Sequence, residues 1–171
     1  MGVRFLTLSE SMPLAAITAA KTARDKNKNP EFLTVPFLSS LDRDDLRAMT
    51  GDDDITRHIL LRARAALAAG CDGVVASGQE IETCRAAFPE TIIVSPGIRP
   101  IGSSNDDHKR FTTPSEAIRL GADYLVVGRP ILKSKNPRQV AEAVIAEIDQ
   151  TRREMSNNHS PRLPQAVATL L

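Results

Sequence analysis

At 171 residues the chain is long enough for one domain with a sizeable buried core. Its 22 Lys and Arg against 21 Asp and Glu leave a net charge of +1, so the composition predicts neither a nucleic-acid nor a membrane partner. Aromatic residues make up only 4% and Trp is absent, so the core must be aliphatic.

In chain order, short apolar β-branched runs alternate with amphipathic segments. The pattern predicts a strand over residues 4–8, a helix over 13–24, a strand over 32–38 and a helix over 56–69. A strand over 73–76, a helix over 79–88, a strand over 91–95 and a helix over 114–120 follow, then a strand over 124–127 and a helix over 137–153. The strands are apolar on both faces, as strands covered by helices are. Alternation of this kind reads as α/β with a parallel sheet. Pro13, Pro114 and Pro137 stand at helix starts, where a missing N–H costs nothing. Past Arg153 the pattern lapses into Ser156-Asn157-Asn158-His159-Ser160-Pro161. Residues 1–153 are therefore expected to form the domain, and 154–171 a polar linker and tail.

One repeat stands out. Ala69-Gly70-Cys71-Asp72-Gly73-Val74-Val75 matches Leu120-Gly121-Ala122-Asp123-Tyr124-Leu125-Val126. In each, a helix ends on a glycine and a strand follows at once. Gly2-Val3-Arg4-Phe5-Leu6-Thr7 is a third copy without its preceding helix, as expected of a chain cut at a helix-to-strand junction.

Chemistry-bearing residues are few. Cys71 and Cys84 have no CxxC spacing and apolar neighbours, the pattern of inert buried thiols. His58, His108 and His159 share no metal-ligand spacing, so no metal site is expected. Ser77 and Ser95 follow strands but lack a His or Asp partner for nucleophilic catalysis. No apolar run reaches the roughly 18 residues of a membrane span, and the N-terminus lacks a signal-peptide pattern. A soluble, cytoplasmic protein is the expectation.

Two segments point to phosphate. Val94-Ser95-Pro96-Gly97-Ile98-Arg99-Pro100 and Val126-Val127-Gly128-Arg129-Pro130 are both strands that run into a Gly/Pro turn with an Arg. Consecutive strands of a parallel barrel bring such turns to one C-terminal rim. There glycine lets an anion approach backbone N–H groups, and a guanidinium adds a bidentate charge-assisted contact.

Five segments then occur in family order and at family-like spacing. They are Leu38-Ser39-Ser40-Leu41, the run from Asp72 to Glu80, Pro96-Gly97-Ile98-Arg99-Pro100, the run from Thr113 to Ile118, and the run from Gly121 to Ile131. With them, residues 2–148 resemble the later part of the bacterial orotidine 5′-phosphate decarboxylase family. The resemblance implies a partial (β/α)8 barrel of about five β/α units, corresponding to the family's fourth to eighth strands. It implies a carboxy-lyase of UMP biosynthesis that needs no metal or organic cofactor and is homodimeric.

Carried over by position, Arg99, Gly128 and Arg129 match ligand-contacting residues at the last two strand ends. Ser39 replaces a usual Thr and keeps its hydroxyl, and Ser40 matches the Ser beside it. His108 stands where a substrate-contacting Gln is usual. Departures cluster earlier: Ser9 and Met12-Pro13 replace a His and a Gly-Gly, and Pro36 replaces a Thr expected within the fifth strand, where it would remove a ladder N–H. The family's Asp-x-Lys-x-x-Asp motif is not matched within the 171 residues. Asp107-His108-Lys109 begins like it but reaches Thr112, and Lys26 and Lys28 lie in an Asn-rich turn.

The resemblance thus predicts an orotidine 5′-phosphate or UMP site on a chain that is catalytically incomplete alone. Its partner would be a second copy or a complementing N-terminal half. Two alternatives stay open: a catalytically dead nucleotide-phosphate-binding half-barrel, and another sugar-phosphate barrel enzyme. The latter would need its own Lys or carboxylate pair at strand ends, where the sequence offers Ser9, Ser39, Ser77, Ser95 and Arg129.

Overall fold

The structure is a computed structural model that describes residues 2–9, 11–24, 29–78, 80–100 and 111–158. His108, Asp107, Lys109, Lys26, Lys28 and the tail from His159 lie outside the described residues.

Five strands form one sheet: β1 (Phe5–Ser9), β2 (Glu31–Val35), β3 (Gly73–Val75), β4 (Ile92–Ser95) and β5 (Tyr124–Leu125). Their order in the sheet is their order in the chain, and all four pairings are parallel. Helices fill every crossover: α1 (Leu14–Ala23), α2 (Arg43–Thr50) with α3 (Ile55–Ala69), α4 (Glu80–Ala87) and α5 (Pro114–Arg119). After β5 come the single turn α6 (Arg129–Leu132) and the long α7 (Pro137–Asn158).

Side-chain alternation gives the sheet two apolar faces. Val74, Ala76, Ile93, Leu125 and Val127 pack outward on helix residues such as Leu46, Ile59, Ile81, Ile118, Val144 and Ile148. Leu8 and Phe32 do the same with Ile17 and Ala66. The intervening residues, Leu33, Val94 and Tyr124, with Phe5, Val75, Ile92 and Val126, form a separate cluster on the other face. Phe5 on β1 meets Tyr124 on β5 edge to face, with ring centroids 4.9 Å apart. The first and last strands of the sheet can touch only if the sheet curls strongly, so this second face is concave. The architecture is that of a partial (β/α) barrel.

The repeat read from the sequence proves to be a joint. Asp72 donates its backbone N–H to Phe32 O at 2.8 Å while its carboxylate accepts the Phe32 N–H at 2.8 Å. Asp123 treats Ile93 in the same way, at 2.9 and 2.8 Å. Each carboxylate also meets an arginine from the helix before the clamped strand. Arg24 at the end of α1 pairs with Asp72. Arg85 in α4 pairs with Asp123 at 2.6 Å and also donates to the Gly121, Pro89 and Thr91 carbonyls. Gly70 and Gly121 precede these joints with φ of 125° and 104°, a region an L side chain rarely enters.

Three differences from the sequence reading have physical reasons. The short α2 was missed because Leu46 is its single buried residue; its Asp42/Asp45 capping box and left-handed Gly51 were the available signals. Helix α7 continues to Asn158, so Ser156 and Asn157 are helical and not linker, because its core-facing stripe runs on through Val144, Ile148, Thr151 and Met155. Pro36 falls one residue beyond β2, whose last ladder partner is Val35, so the expected loss of a ladder N–H within the strand does not occur.

Two outcomes are expected. A Cβ at Gly73 would lie 2.5 Å from Leu33 Cδ2 and 2.7 Å from the Ile92 carbonyl oxygen. Gly73→Ala should therefore cost about 1–3 kcal/mol of stability by overpacking, read from a urea midpoint; an unchanged midpoint would contradict the tight concave layer. Burial pushes the Cys71 and Cys84 thiols from near 9 up to about 11, helped by Asp72 and Glu80 beside them. A thiol whose folded pKa is raised adds stability in full below the unfolded value. That contribution is lost as pH rises through the folded value. The urea midpoint should fall between pH 9 and about 11, and a thiol reagent at mildly alkaline pH should react no faster than the chain unfolds.

Candidate functional site

A parallel sheet in sequential order sends every post-strand loop out of the same end. The segments after β2, β3, β4 and β5 therefore share one rim, and each turns sharply within a few residues. After β3, Gly78 takes φ of 59°, and the Ser77 and Gly78 carbonyls accept the N–H groups of Glu80 and Ile81 at 3.3 Å to start α4. After β4, Gly97 takes φ of 75° and the chain bridges Ile98 to Thr112 in parallel. Arg99 N donates to Thr112 O at 2.9 Å and Thr112 N to Gly97 O at 3.3 Å, so the turn is stapled to the residues just before α5. That helix is fixed by a Thr113/Glu116 capping box with Pro114 at its first turn.

After β5, Gly128 caps α6, its carbonyl accepting from Ile131 at 3.0 Å and Leu132 at 3.1 Å. Arg129 is thus the first residue of a helical turn and is half-buried. The sequence reading treated Gly128-Arg129-Pro130 as a turn. Its Pro at a helix start was the same signal that located the other helices.

Of the residues expected at the site, Arg99, Gly128 and Arg129 lie at the ends of β4 and β5. These strands are direct neighbours, pairing Val94 with Tyr124 and Ser95 with Leu125. Arg99 is only 8% exposed and its Nη1 donates to the Ile98 carbonyl at 2.9 Å, so its charge is held in the rim. Ser39 lies two strands away, beyond β2, half-buried in the turn closed by Leu41 N to Leu38 O. His108 is outside the described residues.

Between the ends of β2, β3 and β4 is a pocket of about 230 Å³. Val35, Phe37, Leu38, Val75 and Pro96 give it apolar walls, and Ser39 and Ser77 give it hydroxyls. Arg99 and Arg129 do not line this pocket; they follow β4 and β5 in the chain. Ser77 had been set aside in the sequence for want of a catalytic partner; its place beside Ser39 depends on the β2–β3 pairing, which no local pattern reveals. Among the described residues no group of three or more His, Cys, Asp or Glu could hold a metal. Nor is any described helix long and apolar enough to cross a membrane.

Comparison with known proteins bears on the family and the fold. The profile of the orotidine 5′-phosphate decarboxylase / HUMPS family matches residues 1–144. The orotidine 5′-phosphate decarboxylase of Trichlorobacter lovleyi is 43% identical over 134 residues, which is 78% of this chain and 56% of that protein. That of Pseudomonas putida is 39% identical over 150 residues, covering 86% of this chain and 64% of the relative. The crystal structure of the Lactobacillus acidophilus enzyme superimposes with a TM-score of 0.71 at 28% identity, covering 86% of this chain and 64% of that one. The chain spans between half and two thirds of the length of these relatives. By profile, identity and fold together, the chain belongs to the orotidine 5′-phosphate decarboxylase / HUMPS family.

Proposed function

We propose that the rim holds the 5′-phosphate of a nucleoside monophosphate and serves the conversion of orotidine 5′-phosphate to UMP, without a metal or organic cofactor, in the cytoplasm. One observation carries the reading: neighbouring strands β4 and β5 each end in a glycine followed by an arginine, Gly97 with Arg99 and Gly128 with Arg129, in a chain of this family. Glycine leaves room for a phosphate against the backbone, and a guanidinium supplies charge-assisted hydrogen bonds about twice as strong as neutral ones. Family membership favours this over an unrelated sugar-phosphate isomerase or aldolase.

Binding and chemistry part company within these residues. Arginines on a phosphate bind ground and transition states nearly equally, which does not lower the chemical barrier. Fixed groups at the developing charge are usually the largest catalytic term. The family's Asp-x-Lys-x-x-Asp array would supply them, and residues 1–171 contain no match to it. A polypeptide of these residues alone should therefore bind nucleotide without turning it over.

Titration calorimetry with UMP should show Arg129→Ala weakening binding roughly tenfold or more, the loss of a charge-assisted bond worth about 1.5–3 kcal/mol. Equal affinity in both would sink the rim assignment. Under the same conditions, orotidine 5′-phosphate should give no UMP above the uncatalysed background. Robust turnover abolished by Arg129→Ala would show that the array is dispensable.

The partner we propose is a second copy or a complementing N-terminal half. Among the described residues β1 and β5 each pair on one side only, and open parallel edges are templates for further pairing. Sedimentation velocity on the 171-residue chain should show association that grows with concentration. A well-folded monomer throughout the micromolar range would contradict this.

A further inference from the structure

We propose that Glu116 is a positioning residue for the phosphate site: acting through the Thr112 hydroxyl, it fixes the turn after β4 that carries the Arg99 guanidinium. The inference rests on the proposed phosphate reading and adds to it a residue that does not itself touch the ligand.

The turn shows where control enters. Thr112 is 2% exposed and grips the chain on both sides of Ile98. Its backbone N–H donates to the Gly97 carbonyl at 3.3 Å, and its carbonyl accepts the Arg99 N–H at 2.9 Å. The peptide between Ile98 and Arg99 is a rigid plane, so holding its N–H fixes the direction of its carbonyl at the opposite edge. That carbonyl accepts Arg99 Nη1 at 2.9 Å. A tilt of this one peptide would therefore carry the charge with it.

Glu116 decides where Thr112 sits. A Glu at the third position of a capping box ordinarily serves its own helix by accepting the N–H of the cap residue. Here that contact, from Thr113 N to Glu116 Oε2, is 3.5 Å long, whereas the same oxygen accepts the Thr112 hydroxyl at 2.6 Å. The shorter bond has the length of a charge-assisted O–H···O⁻ contact, about twice as strong as a neutral one. The carboxylate thus grips the residue before the cap more firmly than the cap itself.

The helix that bears Glu116 is a stiff base. Pro114, Ala117 and Ile118 are buried, and Ser115 N donates to Glu147 Oε1 on α7 at 2.9 Å. Position passes from the packed α5 and α7 through Glu116 and Thr112 to Arg99. Arg129 is mounted differently, as the first residue of α6, so the two arginines should respond differently when Glu116 is changed.

The test is titration calorimetry with UMP on the full chain carrying Glu116→Ala, Glu116→Gln or Thr112→Val, each alone and combined with Arg99→Ala or Arg129→Ala. Urea midpoints identify the conditions under which each variant is folded. Glu116→Ala and Thr112→Val should each weaken UMP binding roughly threefold to tenfold, the scale of one hydrogen bond. Glu116→Gln, which keeps an oxygen for the Thr112 hydroxyl, should restore most of that loss. In the Arg99→Ala background neither substitution should cost anything further, and in the Arg129→Ala background each should cost as much as in the wild type. That pattern marks action through Arg99, because a loosened fold would weaken binding in every background. Unchanged affinity in both single variants, or an equal loss in the Arg99→Ala background, overturns the positioning role. Thr112→Val keeps the side-chain shape and decides the matter if Glu116→Ala does not fold. Failure of the wild type to bind UMP, or wild-type affinity in Arg99→Ala, overturns the phosphate reading and this inference with it.

Discussion

Each β/α unit must return the chain from a helix to a strand start beside the previous strand, in register, with no spare residues. At β3 and β5 one aspartate does this. Asp72 and Asp123 each close a two-point joint on the neighbouring strand, a backbone N–H given and a backbone N–H received, at 2.8–2.9 Å. The second contact uses a carboxylate where a ladder would use a carbonyl, and the negative charge it brings is met by Arg24 or Arg85. Breaking such a half-buried pair from one side leaves a charge and a backbone donor uncompensated together. Register set at this end propagates along each strand, because parallel pairing fixes every later partner. The placement of Ser39, Ser77, Arg99 and Arg129 at the opposite end depends on it.

The two ends of the sheet thus divide the labour. One carries charge-paired carboxylates that hold strands together. The other carries glycine turns, hydroxyls and arginines, with the apolar pocket set between strand ends. Parallel barrels concentrate function at the C-terminal rim for this geometric reason, and the chain's family membership accords with that division. The concave layer between the ends is packed at its base, where Gly73 leaves no room for a methyl group beside Leu33 and Ile92.

How far this could be read from sequence follows the range of each interaction. The ten regular segments were visible because β-branched runs, prolines at helix starts and glycines at helix ends are local signals. Helix α2 was not, since one buried Leu46 gives no periodicity, and α6 is a single turn. The repeat around Asp72 and Asp123 was plain as a pattern, but its purpose was not. The partners Phe32, Ile93, Arg24 and Arg85 lie 30 to 48 residues away. Ser39 and the two arginines came from residue identity and resemblance, whereas the pocket that joins Ser39 to Ser77 exists only once β2 and β3 are paired.

The third copy of the repeat reverses the sign. Where Asp72 and Asp123 stand in the later units, β1 is preceded by Arg4, whose carbonyl accepts the Glu31 N–H at 2.7 Å and whose guanidinium reaches Glu31 at 3.2 Å. These side chains are 56% and 27% exposed, so the attraction is screened by salt and adds little. Stacking of the guanidinium over the Phe5 and Tyr124 rings, at 5.0 and 5.1 Å, supplies a contact that salt affects less. With Leu6, Thr7 and Ser9 also open to solvent, β1 is held to β2 by its five-residue ladder and this cation–ring contact, without the carboxylate joint that anchors β3 and β5.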